Sequence, residues 1–364
     1  MDEAESATKI GRRRFLKLTG AVGGGMLLAA CGPVDAPRTP VAAPAVSPTD
    51  TPAPTPTATV RPAASASISF ATMSGGTGLQ MLPLLVAQEL FLEAEGIALK
   101  TVPFPGSGGA VRAVIASGQQ IGHPAPNSAA VAAEQGQSIR IIANNLPFPS
   151  IVWAIRPDSP LKSMKDLKGR RLGYSRSGSI SQTYAFAALR AVGLTPNQDV
   201  TMIAAGSVTD QLAGIQAGTL DAGWLVDPLL TQELLKKTVR VLSPSYELIP
   251  AWSESVLVTT ANYAKANGEL LRAYLRAHQR AMDFIKNNPD KSAEIWAKSQ
   301  DIAVDVAQAA LKAYPVQRFT SRIDPPALKA IAADMLANKQ IQQAPDWSQI
   351  VDQSFLALEL RAPV

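Results

Sequence analysis

The chain has little of what most catalytic and redox centres require. Of its 364 residues one is cysteine, Cys31, and two are histidine, His123 and His278. A single thiol near the amino terminus excludes an internal disulfide, a thiolate metal site and a cysteine nucleophile in the folded body. Two histidines far apart in sequence are too few for a multi-histidine metal centre. There is no GxxxxGK[ST] loop for a nucleotide phosphate and no GxSxG nucleophile elbow. No cofactor is expected. Aromatics are scarce, at 5% against 46% hydrophobic residues, with a mean hydropathy of +0.07, so alanine and valine must close most of the core. The formal net charge of +5 is too mild and too evenly spread for nucleic-acid binding.

What is present begins at the amino terminus. Arg12-Arg13-Arg14-Phe15-Leu16-Lys17 has the pattern of a twin-arginine export signal, and Leu28-Ala29-Ala30-Cys31 that of a lipobox. The apolar stretch between them, Leu18 to Ala30, carries Gly20, Gly23, Gly24 and Gly25. It is too short to span a hydrocarbon core that needs about 20 apolar residues. Residues 1–30 are therefore expected to be a cleaved signal, with Cys31 as the lipidated first residue. The mature protein would be held to the outer face of the cell membrane. Residues 31–66 form a Pro/Ala/Thr-rich zone without apolar periodicity, expected to be an extended tether. At about 3.1 Å per residue it would reach on the order of 100 Å.

Beyond residue 66 short apolar runs alternate with helical segments. Ile68 to Met73, Ile97 to Pro103, a short run near Ile121, and Ile139 to Ala143 read as strands. Helices are expected over Leu82–Glu95, Gly108–Ser117 and Asn127–Gln135. The rhythm restarts with strands at Arg171–Tyr174, Val200–Ala204 and Leu220–Val226, and helices from Ser179 and over Thr209–Ala217. Two apolar segments flank this second unit, Ser150–Ile155 and Ser255–Thr260, and the chain is mostly helical from Tyr263 onward. Such alternation argues for mainly parallel sheets covered by helices. The expected architecture is α/β with two lobes: residues 67–152 with 258–364 as lobe 1, and 153–257 inserted as lobe 2, joined by two hinge strands.

Several stretches together resemble a known family. Leu82-Pro83-Leu84-Leu85-Val86-Ala87-Gln88-Glu89-Leu90-Phe91 is similar to its first helix, and Ala113 to Gln119 to its "A-L-x-x-G-x" helix end. Val152 to Ser159 followed by Leu167-Lys168-Gly169-Arg170-Arg171-Leu172-Gly173 matches its "V-x-R-x-D-S … D-L-K-G-K-x-V-G" pattern. Ala217 to Ala222 with Val226-Asp227-Pro228 matches its "A-G-x-V-D-A … W-x-P" segment. On these residues the chain resembles the periplasmic binding proteins of ABC transporters, in the branch covering nitrate, sulfonate, taurine and thiamine-pyrimidine precursors. The resemblance implies the two-lobed, type II fold of such proteins, with a solute held between lobes and passed to a permease and its cytoplasmic ATPase. A monomer is expected, and without body cysteines or a nucleophile elbow no catalysis is.

Open α/β sheets bind ligands at the carboxyl ends of their strands, which selects the candidate contacts. After the first strand come Met73, Gly75, Gly76 and Gln80; after the second, Gly106 and Ser107; after the third, Asn127 and Ser128. Asn127 and Ser128 also suit a helix cap. In the second unit Ser175, Ser177 and Ser179 open a helix with hydroxyls and free amides, Ser179 being equally an ordinary N-cap. Trp224 and Asp227 end a strand, Trp224 as a platform for a flat solute, with Trp252 a weaker member of the set. His123 is expected to be a hydrogen-bonded packing residue and His278, between Arg276 and Arg280, to lie on a solvated face. The expected solute is a sulfonate-like anion or a flat heteroaromatic such as a pyrimidine or flavin precursor. The alternatives are a thiamine-pyrimidine-synthase-like or hydrolytic enzyme on the same fold, or a sensor for a membrane receptor. The first lacks cysteine ligands in the body, and the hydrolase lacks an identifiable acid for its histidine.

Overall fold

The computed structural model describes residues 66–73, 78–116 and 118–364. The expected export signal, Cys31 and the expected tether up to residue 65 lie outside these residues, as do Gly75 and Gly76. Among these residues ten strands occur in chain order: β1 (Ala66–Thr72), β2 (Ile97–Pro103), β3 (Ile121–Gly122), β4 (Ile139–Leu146), β5 (Val152–Ile155), β6 (Arg171–Tyr174), β7 (Thr201–Ala204), β8 (Gly223–Leu225), β9 (Arg240–Pro244) and β10 (Ser255–Thr260). They build two sheets. The first has the order β2-β1-β3-β10-β4. Phe70 pairs in parallel with Thr101 and Ile121, whereas β10 runs antiparallel to both neighbours, Val258 facing Gly122 and Leu257 facing Ala143.

The second sheet repeats this plan. β6 pairs in parallel with β7, and β5 runs antiparallel between β8 and β9. A parallel bridge from Leu172 to Ala222 joins the two pieces, giving β7-β6-β8-β5-β9. Each sheet is thus parallel except for one strand, and that strand is the first one the chain makes after crossing from the other half. The segments Ser150–Ile155 and Ser255–Thr260 mostly sit inside the sheets as β5 and β10. The crossings themselves are 147–151 and 245–254.

Among the described residues thirteen helices follow from the same alternation: α1 (Leu82–Leu90), α2 (Gly106–Ala116), α3 (Pro126–Glu134), α4 (Ile180–Ala191), α5 (Val208–Gln216), α6 (Leu229–Leu235), α7 (Ser245–Leu248), α8 (Ala261–Ala266), α9 (Gly268–Asn287), α10 (Pro289–Gln300), α11 (Val304–Lys312), α12 (Pro325–Ala337) and α13 (Trp347–Ile350). The first helix is shorter than the expected 82–95. It stops at Leu90, and a 3-10 turn over Glu93–Glu95 ends at Gly96 in the left-handed region (φ 69°). Among the described residues no helix is long and apolar enough to cross a membrane.

Alternation along β1 decides which helices cover which face. Ile68 and Phe70 point into a cluster with Leu82, Val86, Leu271 and Tyr274 of α1 and α9. Ala71 and Met73 point the other way, toward Ala110 and Val114 of α2. Each fully buried large apolar side chain contributes about 1.5–3 kcal/mol relative to exposure. The second cluster continues into the other sheet through Trp153, Leu172 and Tyr184, and into α12 through Leu328 and Met335. The carboxy-terminal helices therefore touch both halves: Arg190 of α4 pairs with Asp334 of α12 and its Nη1 donates to Asn338 Oδ1 at 2.9 Å.

His278 departs from expectation. It is fully buried, because it shares the α9 stripe with Leu271, Tyr274, Leu275, Met282 and Ile285. Arg276 and Arg280, two positions away, face the opposite side of the helix.

Candidate functional site

The carboxyl ends of β1, β2 and β3 come together in short loops. Phe104 N–H donates to Thr72 O (2.8 Å), and His123 N–H to Ala71 O (3.2 Å). Ser107 binds these loops to one another: its hydroxyl lies 3.2 Å from Met73 Sδ and accepts from Ala125 N–H at 3.2 Å. Ala125 is the N-cap of α3 with Pro126 behind it, so neither Asn127 nor Ser128 caps that helix. Asn127 is buried, its Oδ1 accepting from Ser128 N–H (2.9 Å), and Ser128 is half-buried. Gln80 is buried in a 3-10 turn, Leu79–Met81, whose position is fixed by Asn145 Nδ2 donating to Gln80 O at 3.0 Å.

At the matching edge of the second sheet, Ser175 to Ser181 form a knot of hydroxyls. Ser181 Oγ accepts from Ser175 N–H (2.9 Å) and lies 2.8 Å from Ser175 Oγ and 3.0 Å from Ser179 Oγ. Ser179 is the N-cap of α4, accepting from Gln182 N–H at 3.2 Å. Three hydroxyls carry three protons, and the two contacts among them use two. One proton is left for an outside acceptor, beside the unsatisfied amides at the start of a twelve-residue helix. Ser177 is exposed at the tip of the loop.

The two edges meet. A Cβ placed on Gly106, whose φ is +66°, would come within 3.1 Å of Arg176 Nη2, so the guanidinium beside Ser175 reaches the first turn of α2. Glycine at 106 serves both the backbone angle and this approach. Arg176 had no distinguishing mark in the sequence beyond its serine neighbours.

Trp224 faces Trp153 across the sheet and is half-buried, its indole N–H enclosed without an acceptor. Asp227 is 2% exposed; Oδ1 accepts from Thr231 N–H (2.9 Å), and burial pushes its pKa up against hydrogen bonds from Thr231 and Tyr314. Beside it stands Tyr314, from the turn after α11. Its hydroxyl donates to Ser150 O at 2.9 Å, while the Asp227 and Glu254 charges add to burial in raising its own pKa. Glu254, in the second crossing, accepts from both the N–H and the hydroxyl of Ser150 in the first. Burial outweighs those bonds and raises its pKa to about 7. Trp252 is buried edge-on against Tyr184, with ring centroids 5.2 Å apart. Sequence reading singled out the stretch from Ser175 to Ser181 but missed Ser150, Glu254 and Tyr314. Glu254 carried one signal, a lone carboxylate in the otherwise uncharged run from Trp252 to Thr260.

His123 is buried beside Phe70 (ring centroids 5.5 Å), but neither ring nitrogen has a hydrogen-bond partner, so it packs without the bonds expected of it. Burial lowers its pKa to about 3. His278 is held at both nitrogens, Nδ1 to Ser321 Oγ (2.8 Å) and Nε2 to Asn145 Oδ1 (3.2 Å). Because Asn145 Nδ2 donates to Gln80 O and Ser255 Oγ, its oxygen faces the ring. His278 is therefore neutral with the proton on Nε2, and burial lowers its pKa to about 3. Among the described residues no three His, Cys, Asp or Glu side chains gather as a metal site. Two cavities open at the other, amino-terminal edges: one of about 750 Å3 beside Arg140, Lys265 and Arg272, and one of about 140 Å3 beside Arg156, Arg170 and Arg171.

Comparison with known proteins bears on the fold and the family. An Escherichia coli protein named for binding aliphatic sulfonates is 27% identical over 191 residues, 52% of this chain and 55% of the relative. The chain thus matches about half the length of that relative. The alkanesulfonate-binding protein SsuA of Xanthomonas axonopodis pv. citri, solved bound to MOPS, superposes with a TM-score of 0.66 at 19% identity, covering 83% of this chain and all of that one. The desulfurization enzyme DSZB shares the fold at a TM-score of 0.59 and 18% identity, over 80% of this chain and 97% of its own. The fold is that of the periplasmic binding proteins. A family model described as NMT1/THI5 like matches residues 79–292, more than half of the chain, and the chain belongs to that family.

Proposed function

We propose that this protein is an exported solute-binding protein that takes up a small organic molecule between its two halves and passes it to an ABC permease with its cytoplasmic ATPase. The halves are residues 67–152 with 258–364, and 153–257. The approach of Arg176 to Gly106, which sets the serine knot of one sheet edge against the loops of the other, carries this reading. A spare hydroxyl proton and helix amides suit an oxygen-bearing group such as a sulfonate. The Escherichia coli relative named for sulfonates and the MOPS-bound neighbour favour the same class. A lipid on Cys31 would anchor the monomer to the outer face of the membrane, and the tether would let it move there.

Binding is preferred to catalysis despite the likeness to DSZB. Hydrolysis would need a base paired with a nucleophile. His278 meets a serine at Ser321 and Glu254 meets one at Ser150, and all four residues are sealed in the core at no more than 6% exposure. A thermal-shift screen of the full chain against alkanesulfonates and pyrimidine or flavin precursors tests the proposal. A stabilising shift with one class supports it. No shift throughout, with turnover of an ester or amide, replaces it by the enzyme reading.

A further inference from the structure

The inner sheet gathers cations at the edge opposite the serine knot, and register fixes how. Asp221 lies one step before the Leu172–Ala222 bridge, level with Arg171 at the start of β6. On its other side β5 runs antiparallel to β8 with Ala154 facing Gly223, so two more steps set Arg156 level with Asp221. Ile155 in turn faces Arg240 of β9. Three strands of one sheet thus each bring an arginine to the same edge, with Arg170 beside Arg171. Among them lies the cavity of about 140 Å3, lined by Arg156, Arg170, Arg171 and Asp221 and by parts of the turns 159–161 and 218–220.

The one carboxylate in that wall is already taken. Asp221 Oδ2 accepts from Arg171 N–H (2.8 Å) and Nε (2.9 Å), and Oδ1 from Nη2 at 3.2 Å. Against the cost of burial, Arg171 and, at longer range, Arg170 hold its pKa below the ordinary value. It is ionised, and it balances one of the three guanidiniums lining the cavity. Arg156 has only Asp158, at 3.3 Å and 75% exposed, a partner of little weight in water. Arg170 is exposed and forms no ion pair among the described residues. The carbonyls of the wall are occupied too, since Arg240 Nη2 donates to Ser159 O (2.7 Å) and Leu161 O (2.5 Å). Two guanidiniums converge on Gly218: Arg171 Nη2 donates to its carbonyl at 2.8 Å, and a Cβ there would come within 3.0 Å of Arg156 Nη1. Like charges held this close repel until a negative group joins them.

We propose that this cavity is a second anion site, separate from the interlobe cleft, for a tetrahedral dianion such as sulfate or hydrogen phosphate. The two uncompensated positive charges match two negative ones, and guanidinium forks suit oxyanions. A volume of about 140 Å3 is that of about four or five waters, well short of the roughly 300 Å3 at which organic-ligand sites begin. The length of β6 puts roughly 13 Å between Arg171 and Ser175, so the two sites do not overlap.

Isothermal titration of the full chain in detergent, with sodium sulfate and with sodium methanesulfonate at constant ionic strength, tests the proposal. Arg170→Ala removes an exposed side chain that no ion pair holds, and should weaken sulfate at least about fivefold. Arg156→Gln should do the same. Methanesulfonate has the same oxygens but one charge, and the two variants should change its affinity by less than about twofold. No sulfate binding to the parent, or sulfate binding unchanged in both variants, overturns the proposal. A loss that follows Ser175→Ala instead places the ion in the cleft and overturns it as well. Equal sensitivity of methanesulfonate to the two variants overturns the choice of a dianion. All of these outcomes leave the solute-binding reading, which stands on the opposite edge, where it was.

Discussion

Ser179 has two tasks that a single substitution separates. As N-cap of α4 it accepts from Gln182 N–H, and it is one corner of the hydroxyl knot. Ser175 shares the knot and caps nothing. Ser179→Ala should therefore cost about 1 kcal/mol of stability and also weaken solute binding. Ser175→Ala should weaken binding with a smaller loss of stability; urea titration beside calorimetry reads both. Glu254 makes a different prediction. Its folded pKa of about 7 stands above the ordinary 4.5, so the folded protein holds this proton more tightly than the unfolded chain. The stabilisation is complete below pH 4.5 and is lost as pH rises through about 7. The change is on the order of 3 kcal/mol. The histidines act oppositely: with folded pKa values near 3, they favour folding above about pH 6.5 and cost stability as pH falls. Subtracting the melting curve of Glu254→Gln from that of the parent isolates the glutamate. A difference that does not shrink between pH 5 and pH 8 would mean Glu254 titrates normally.

Elements were more legible in the sequence than contacts. Runs such as Ile97–Pro103 and Arg171–Tyr174 became strands at the expected bounds, because period-two alternation and glycine-bearing turns are local properties. Ser175 and Asp227 could be placed at strand ends for the same reason. Tyr314 could not, since it meets Ser150 across 164 positions and nothing near it in the chain marks that encounter. His278 was misjudged from its arginine neighbours although its own helical stripe was apolar, which shows the stripe to be the better guide. The antiparallel strand in each sheet escaped notice as well: direction is set by where the chain re-enters, not by composition. At this scale the α4–α12 contact is the one to break. Arg190→Met leaves Asp334, only 17% exposed, without its partner. A loss of roughly 2–3 kcal/mol follows from a carboxylate left in a largely buried site, seen as a lower urea midpoint.

The whole molecule is two copies of one sheet plan that differ in how the chain supplies them. β5 to β9 are contiguous, so the inner sheet is complete at Pro244, whereas the outer sheet needs β10 between β3 and β4. A chain ending at residue 254 should resist protease over roughly 152–244 while residues 66–146 are cut. Equal digestion of both would show that the inner half also depends on α12.

That placement of β10 has a bearing on biosynthesis. A ribosome that has emitted 250 residues holds a finished inner half and an outer half with an empty slot down its middle, flanked by the unpaired backbone of β3 and β4. Such open edges invite wrong partners, and only the last third of the polypeptide can seal them. A molecule put together in this order gains from being kept inside the cell until synthesis is over, and from leaving it already assembled.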